Sequence, residues 1–501
     1  MLTIGDALRA NALKWPDRLC FADPNRRLTF AEVNARVNRL ANGLRSLGCG
    51  PGDAIAIYAR NSIEYLELFH ACAKLGLRLV TLNFWHRISE MEVLLSHSEA
   101  AWLVIGEASQ DAIEAIRHRL PALRGTIVIG EARMAGSYSW VSILNAGGEQ
   151  EPGAAVASDA PFWMMYTSGT TGNPKGLYRS FLRTSLCLWA GIIEFAYVKS
   201  DTFLALSPFF HGVTFMPLMV LQTGGSIFVL PEFEPERVFT IIEQEKITCS
   251  FMVPTMLSML MAHERYETTD FSSFRVLVTG GAALPTAVKQ SVMRRMGPVL
   301  HEFYGASESG FITVLHPKDQ LRKERCCGQP AFGAEVEIRD EKGNVVPRGE
   351  VGEVFTHCEG RFDAYYKDPE RTLAALHDGW FTAGDLGWMD EEGFVYIVDR
   401  KSDLIISGGE NIYPREIEDV LRNHPAIAEC AVIGVADEMW GEAVKALIVV
   451  RPGSSLGSDD VITHCSAHLA GFKRPKHVEF VSELPKNASG KVLKALLRQQ
   501  S

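Results

Sequence analysis

Paired cysteines and an excess of basic residues are both absent from the sequence. The ten cysteines are scattered, none forms a Cys-x-x-Cys pair, and only Cys326 and Cys327 are adjacent. A chain of 501 residues has no need of disulfides to fold, so we expect reduced thiols and a cytoplasmic protein. Acidic residues outnumber basic ones by 60 to 50, which argues against non-specific binding of nucleic acid.

A secretory signal peptide and an uninterrupted membrane span are also missing. Met1–Arg9 has neither the basic start nor the long apolar run of a signal peptide. Thr202–Pro231 contains no Asp, Glu, Lys or Arg and is long enough to cross a bilayer, but prolines, a histidine and a Gly-Gly pair interrupt it. We therefore interpret this stretch as buried strands and a helix of an α/β core, in preference to a transmembrane segment.

Strand-like and helix-like segments alternate through the first three-quarters of the chain. Asp53–Tyr58 is an apolar strand, and Asn61–Glu64 predicts a capping box for a helix that runs toward Leu75. Thr29–Glu32 predicts the capped start of another helix. Strands separated by helices imply parallel sheets with helices on both faces, and the chain length implies two or more domains.

The character of the sequence changes after about Gly349, where β-rich sequence punctuated by glycine continues to Tyr396. A charged tract without apolar periodicity follows at 399–403, and beyond it lies an α+β module. We predict an N-terminal domain at 1–399, a hinge at 400–402 and a C-terminal domain at 403–501.

The segment Tyr166–Gly176 is the sharpest motif in the chain. It follows the apolar run Phe162–Met165, so it leaves a strand, and its glycines let successive backbone N–H groups face an anion. It is not a Walker loop, because Pro174 precedes the lysine. The loop predicts a polyphosphate site formed by Thr167, Ser168, Gly169, Thr170, Thr171, Gly172 and Lys175.

This loop resembles the signature of the adenylate-forming superfamily, which comprises acyl-CoA synthetases, beetle luciferases and the adenylation domains of peptide synthetases. Further motifs follow in the family's order as far as Lys491, so the resemblance covers essentially the whole chain. It implies an α/β fold: a large N-terminal body of stacked mixed sheets with flanking helices and a β-rich subdomain, plus a small mobile α+β C-terminal lid.

The resemblance also implies the remaining nucleotide contacts. In Tyr304-Gly305-Ala306-Ser307-Glu308 the tyrosine would pack on adenine, the hydroxyl would touch the α-phosphate and Glu308 would hold Mg²⁺, a cation that prefers carboxylate oxygen. Ser307 stands where threonine is commoner. The turn with Gly281 and Ala282 would line the adenine pocket, and Asp385 with Arg400 would clamp the ribose; for each, an ordinary turn is the alternative.

The C-terminal motifs imply catalysis and domain movement. Leu484–Lys491 resembles the catalytic-lysine motif, in which the ammonium offsets repulsion between the attacking carboxylate and the α-phosphate. Ser402 occupies the hinge position, where aspartate or lysine is usual. Gly408 and Gly409 would border the pantetheine tunnel. For the CoA nucleotide, Trp440, Phe472, Lys473 and Arg474 are candidates, although solvated surface charge would explain the basic tract equally simply.

The acid pocket is implied at His211, Gly212, Gly280, Gly281, Phe303 and Gly310. His211 matches an aromatic gate of the family, with a packed core histidine as the alternative. The aspartate that holds the α-amino group in peptide synthetases is missing hereabouts, which disfavours amino acids. The segments expected to line the pocket are flanked by apolar side chains without a basic residue, which favours an aromatic or medium-chain monocarboxylate: Phe209, Phe210, Phe215, Met216, Phe303 and Phe311.

The sequence therefore predicts an AMP-forming acyl-CoA ligase that uses ATP, Mg²⁺ and coenzyme A. One alternative keeps adenylation but loads a carrier protein instead of free CoA. A catalytically dead scaffold would have lost some of Glu308, Asp385, Arg400 and Lys491, and all four are present. A luciferase-like oxygenase shares the motifs. The sequence does not indicate an oligomeric state.

Overall fold

The computed structural model describes residues 3–167, 175–408, 410–486 and 492–500. Of Thr167 it describes the backbone alone. The chain forms two units. Unit 1 comprises Met1–Glu335 and Thr356–Phe381, and unit 2 comprises Val336–Phe355 and Thr382–Ser501. The division that the sequence suggests, with a hinge at 400–402, stays a prediction.

A nine-stranded mixed sheet forms the larger part of unit 1 in the described residues. Its six central strands are parallel, because helices connect them, and antiparallel strands complete both edges. In spatial order the strands are Gln329–Pro330, Gly310–Leu315, Leu300–Ala306, Val276–Gly280, Cys249–Phe251, Thr202–Ala205, Ser226–Val229, Leu19–Ala22 and Arg27–Thr29.

An eight-stranded sheet is the second layer of unit 1. Strands of its centre are mostly buried and mostly apolar, as expected for parallel strands covered on both faces. In spatial order its strands are Ala364–Tyr365, Lys175–Ser180, Pro161–Thr167, Arg78–Thr81, Ala54–Tyr58, Trp102–Gly106, Gly125–Ile129 and Tyr138–Ser139.

Helices flank both sheets of unit 1. Within the described ranges they are Ile4–Lys14, Phe30–Ser46, Ile63–Leu75, Ile88–Ser98, Gln110–Arg117, Trp140–Ala146, Phe181–Glu194, Phe215–Gln222, Pro235–Glu245, Pro254–Met261, Thr286–Met296 and Pro369–Ala375. The uncharged stretch resolves into two strands and the helix Phe215–Gln222, as the sequence predicted. No helix in these ranges combines the length and apolarity needed to cross a bilayer.

The predicted capping boxes differ in outcome. The Thr29 hydroxyl accepts from the N–H of Glu32 at 3.3 Å, as predicted. The box predicted at Asn61–Glu64 is wrong by one residue, because Ser62 is the N-cap and accepts from the N–H of Tyr65 at 3.2 Å. The buried amide of Asn61 is instead bonded to the backbone of Ser207 and Phe209.

The β-rich stretch ahead of residue 400 contains the strands Ala334–Arg339, Gly352–Cys358, Leu376–His377, Trp380–Met389 and Val395–Arg400. In unit 2, residues 385–389 pair antiparallel with 395–400. The C-terminal part of this unit is a mixed sheet of Glu410–Ile412, Ile405–Ser407, Gly441–Val450, Ile427–Asp437 and His477–Phe480. Its helices are Pro414–Arg422, Ser458–Ser466 and Lys494–Gln499. The α/β class with a large mixed-sheet body and a small α+β unit is confirmed.

Candidate active site

The predicted adenine and acid residues follow neighbouring strands of the nine-stranded sheet. The strands that end at Ala205, Phe251, Gly280 and Ala306 are adjacent and parallel, with Gly280 paired to Phe303. Ligands of open α/β sheets bind beyond the carboxyl ends of such strands. The structure therefore brings the segments that contain His211, Gly281, Ala282 and Ser307 to one edge of the sheet.

Glycines at this edge allow backbone and rings to approach closely. A Cβ atom on Gly280 would lie 2.6 Å from the Phe303 ring, and one on Gly305 would lie 2.0 Å from the carbonyl oxygen of Gly310. Gly281 has a φ of +83°, which strains residues with a side chain, and nothing lies within 4 Å of its Cβ position. The exposed Ala282 follows it. The turn leaves open space where the family places a ligand.

Glu308 is held by groups from outside its own motif. Its carboxylate Oε1 accepts from the Tyr365 hydroxyl at 2.8 Å, and its carbonyl oxygen accepts from the N–H of Phe362 at 2.6 Å. The strand that carries Tyr304 has a bulge between Tyr304 and Gly305, so the chain turns at the start of the motif. Tyr304, Ser307 and Glu308 are all half-buried, as side chains that meet a ligand must be.

The oxygen donors around Glu308 fit a magnesium ion that is shared with phosphates. Among the described residues no cluster of three or more His, Cys, Asp or Glu side chains could hold a metal. One carboxylate, with the hydroxyl of Ser307 in the same motif, leaves most ligands to phosphate and water. Mg²⁺ is usually bound in this way, through one or two carboxylates plus substrate oxygens.

The predicted phosphate loop connects two paired strands. Thr167 pairs with Lys175 across the hairpin, which fixes both ends of the loop. Ser168, Gly169, Thr170, Thr171 and Gly172 lie outside the described residues.

The strand that enters the loop is anchored at Tyr166. Its hydroxyl lies 2.8 Å from Nδ1 of His97 and donates to the carbonyl oxygen of Leu94 at 3.2 Å. Burial raises the pKa of Tyr166 above its ordinary value, so this hydroxyl keeps its proton.

A small and mostly apolar cavity lies beside the segment that contains His211. Its volume is about 10 Å³, and it lies beyond the strands Thr202–Ala205 and Cys249–Phe251. Among the described residues no charged side chain lines it; its walls are Phe203, Ala205, Leu206, Ser207, Phe209, Val213, Pro217 and Phe251. Phe303 extends this surface, with its ring centroid 6.0 Å from that of Phe251 and 5.2 Å from that of Phe311.

His211 and Gly212 lie between Phe209 and Val213, two of the residues that line this cavity. The His211 ring centroid lies 4.1 Å from that of Phe210, and Gly212 has open space at its Cβ position. Burial, with a smaller contribution from His86, lowers the pKa of His211 to about 4. The imidazole is therefore neutral at neutral pH, which suits a gate beside an apolar acid better than it suits a cationic catalyst.

Asp385 and Arg400 are direct cross-strand partners in unit 2. Nε of Arg400 lies 3.1 Å from Oδ1 of Asp385, and their Cα atoms face each other in the register of the hairpin. The carboxylate is buried, whereas 46% of the arginine side chain is exposed. The guanidinium thus orients a carboxylate that can accept hydrogen bonds from a diol.

The hinge candidate Ser402 is exposed and lies between two ion pairs of unit 2. Lys401 pairs with Glu353 at 2.8 Å, and Asp403 pairs with Arg498 at 3.0 Å.

The CoA candidates of unit 2 form separate groups. Trp440 is 47% exposed and packs on Gly408, whose Cβ position would be 2.6 Å from the indole, and the Lys476 ammonium lies 5.1 Å from the indole centroid. Phe472 is exposed beside Lys473, but Lys473 is already paired with Glu416 at 2.7 Å.

For three predicted residues of this unit, Arg474, Gly409 and Lys491, the described contacts add no support to the proposed role. Nε of Arg474 donates to the carbonyl of Leu469 at 3.4 Å, a weak bond within its own segment. Gly409 and Lys491 lie outside the described residues.

Sequence reasoning missed three residues that support the site: Asn61, Arg179 and Tyr365. Asn61 donates to the carbonyl of Ser207 at 2.9 Å and accepts from the N–H of Phe209 at 2.8 Å, which fixes one wall of the acid pocket. For Arg179 the alternation of the strand was a usable signal, since it shares a face with the buried Leu177. No local pattern marks Tyr365.

Comparison with known proteins identifies the family of the chain. Residues 8–366 match the AMP-binding enzyme family, and residues 416–491 match the AMP-binding enzyme C-terminal domain. A feruloyl-CoA synthase of Amycolatopsis sp. is 36% identical over 480 residues, 94% of either chain. The long-chain-fatty-acid–CoA ligase FadD13 of Mycobacterium tuberculosis is 34% identical, over 100% of this chain and 99% of its own.

A solved structure repeats the fold over nearly the full length. ATP-bound MatB from Rhodopseudomonas palustris superposes with a TM-score of 0.90 at 29% identity, covering 99% of this chain and 98% of its own. The chain thus belongs to the AMP-binding enzyme family, in the acyl-CoA synthetase branch of the adenylate-forming superfamily, and is an AMP-forming acid–thiol ligase that uses ATP, Mg²⁺ and CoA.

Proposed function

We propose that this ligase activates an apolar monocarboxylic acid, either aromatic or of medium chain length. The observation that carries the proposal is the surrounding of the segment that contains His211, where aromatic and aliphatic side chains line a small cavity and no charged side chain of the described residues does. A second carboxylate on the substrate would lose its hydration there without a partner, at a cost of several kcal/mol. The similarity to ligases named for feruloyl and long-chain fatty acids agrees with an apolar body.

The reaction has two steps on one acid. The carboxylate oxygen attacks the α-phosphorus of ATP, pyrophosphate leaves, and an acyl-adenylate forms. The sulfur of CoA then attacks the acyl carbon, the C–O bond to AMP breaks, and the thiol proton is released. Bound Mg²⁺ neutralises phosphate charge during the first step. The relatives are CoA ligases, so a carrier protein is not favoured as the acceptor.

We propose the following roles for the site. Thr167, Lys175 and the loop residues between them bind the phosphates; Tyr304 and Gly281 receive the adenine; Asp385 accepts from the ribose hydroxyls. Glu308 binds Mg²⁺, and Lys491 offsets the charge that builds up as two anions approach. His211 separates the acid pocket from the path of the thiol.

We also propose that residues 403–501 rotate about 400–402 between the two steps. Adenylation needs a lysine at the α-phosphate and thioester formation needs an open path for the thiol, so one arrangement of side chains cannot serve both. Trp440, with Lys476 above its ring, is the candidate for the CoA adenine. A cytoplasmic location is proposed because the ten cysteines are scattered along a chain that is long enough to fold without disulfides.

The proposal is tested by a pyrophosphate-release screen across a panel of acids in the presence of CoA. We expect kcat/KM for aryl and medium-chain monocarboxylates to exceed that for malonate or succinate by about 100-fold, because a second carboxylate would be buried unpaired. A parallel arm replaces CoA with a phosphopantetheinylated carrier protein. Preference for a dicarboxylate would contradict the assigned substrate class, and preference for the carrier would contradict the assigned acceptor.

A further inference from the structure

Glu308 accepts hydrogen bonds from three residues of neighbouring segments. Its carbonyl oxygen accepts from Phe362 at 2.6 Å and from Nη2 of Arg179 at 3.3 Å, and its carboxylate accepts from Tyr365 at 2.8 Å. None of these donors belongs to the motif that contains Glu308. A carboxylate with one oxygen bonded in this way has lost most of its rotational freedom.

Tyr365 is placed by the strand that leaves the phosphate loop. Its Cα pairs with that of Leu177 in the strand Lys175–Ser180, and its N–H donates to the Thr372 hydroxyl at 3.0 Å. The side chain is 8% exposed. A tyrosine hydroxyl carries its proton at neutral pH, so it can donate to the carboxylate.

Arg179 secures the backbone on the same side. Its guanidinium is fully buried, lies 5.2 Å from the Phe215 ring centroid, and donates from Nε to the carbonyl of Gly360 at 3.0 Å. No carboxylate in the described part of the chain lies within 4.0 Å of it, and its guanidinium donates to the carbonyl oxygens of Gly360 and Glu308. The strand after the phosphate loop therefore holds both the backbone and, through Tyr365, the carboxylate of Glu308.

We propose that Tyr365 is a positioning residue for adenylation, whose hydroxyl occupies Oε1 of Glu308 and so orients Oε2 toward Mg²⁺. The inference rests on the proposed role of Glu308 as the metal carboxylate. Groups that hold metal ligands in place typically contribute 10–100-fold to metal affinity or activity. No other described side chain is bonded to the Glu308 carboxylate, which leaves Oε2 available.

The test compares Tyr365→Phe with Tyr366→Phe in the full-length protein. The adjacent Tyr366 donates its hydroxyl to Glu99 at 3.0 Å and does not contact Glu308, so its variant removes a matched hydroxyl. Calorimetry measures the Kd of α,β-methylene-ATP with and without Mg²⁺, and the ratio of the two gives the metal-dependent gain without turnover. We expect Tyr365→Phe to lose about 10-fold of this gain, Tyr366→Phe to retain it, and Glu308→Gln to lose it entirely.

Other outcomes separate the inference from its foundation. An unchanged gain in Tyr365→Phe, or equal losses in both tyrosine variants, would overturn the role of Tyr365 while leaving the ligase assignment intact. A lower melting temperature of Tyr365→Phe with an unchanged gain would overturn it as well, since the hydroxyl would then serve stability alone. A normal gain in Glu308→Gln would remove the metal role of Glu308, and the inference with it.

Discussion

At the scale of single residues, the acid pocket depends on a contact between a glycine and a ring. Gly280 ends one strand and Phe303 lies beside it on the next, so close that a Cβ atom would overlap the ring at 2.6 Å. Phe303 also meets Phe251 and Phe311. In the proposed acid pocket, the atoms missing at position 280 and those present at position 303 would set the size of the space.

Gly280→Ala is expected to push the Phe303 ring into the pocket and to lower kcat/KM for the best acid by roughly 10-fold or more, the effect of a methylene-sized misfit. Phe303→Ala should shift the preference toward longer acids. The double variant Gly280→Ala/Phe303→Ala should recover part of the loss on a long acid, because the overlap with the ring is gone and only the 2.8 Å approach to the Phe303 carbonyl oxygen remains. Steady-state kinetics with acids of increasing length give the measurement. Additive losses in the double variant would show that the two residues do not share one wall.

At the scale of elements, one antiparallel hairpin presents the carboxylate proposed for the ribose. Asp385 and Arg400 occupy paired positions of Trp380–Met389 and Val395–Arg400. The aspartate is buried, whereas nearly half of the arginine side chain is exposed, so the ion pair contributes little energy. The contribution of the hairpin to ribose binding would come mainly from the position of the carboxylate.

Asp385→Asn is expected to raise KM for ATP by about 10-fold or more, because an amide has one oxygen acceptor where two hydroxyls need partners, and a hydrogen bond to a charged group contributes about 1.5–3 kcal/mol. Arg400→Gln should have a smaller effect. Asp390→Asn is the control, since Asp390 accepts from the N–H of Phe394 in the same hairpin, away from the predicted ligand. Equal effects of Asp385→Asn and Asp390→Asn on KM would indicate that only the hairpin's stability matters.

The elements also show how far the sequence leads. Local patterns predict the strand observed at 54–58 and the helix that ends at Leu75, because an apolar run and a helix cap both depend on residues that are close in the sequence. The observed N-cap is Ser62 and not the predicted Asn61, because the Asn61 side chain is hydrogen-bonded to a segment almost 150 residues away.

The supports of Glu308 could not be predicted for the same reason. Tyr365 meets the strand Lys175–Ser180 only through the pairing of distant segments, and no local signal reports such pairing. The site residues themselves are predicted from short sequence motifs, whose residue types are those that the chemistry of the reaction needs. Their fixing by Arg179, Phe362 and Tyr365 is a property of the tertiary fold.

At the scale of the whole molecule, the chain combines two units with separate core clusters. Unit 1 contains the sheet edges with the pocket, the phosphate-loop strands and Glu308. Unit 2 contains the hairpin of Asp385 and the sheet beside Trp440. The predicted site residues are thus divided between the two units, as the proposed alternation between adenylation and thioester formation would require.

The most direct test of the account separates the two half-reactions in Lys491→Ala. ATP–pyrophosphate exchange measures adenylation, and conversion of supplied acyl-AMP and CoA measures thioester formation. Lys486→Ala is the control, because Lys486 lies in the same motif and pairs with Glu429 at 2.7 Å. We predict that Lys491→Ala loses at least about 100-fold in exchange while thioester formation stays near that of the wild type, and that Lys486→Ala changes neither. Equal loss of both half-reactions in Lys491→Ala, or undiminished exchange, would contradict the account.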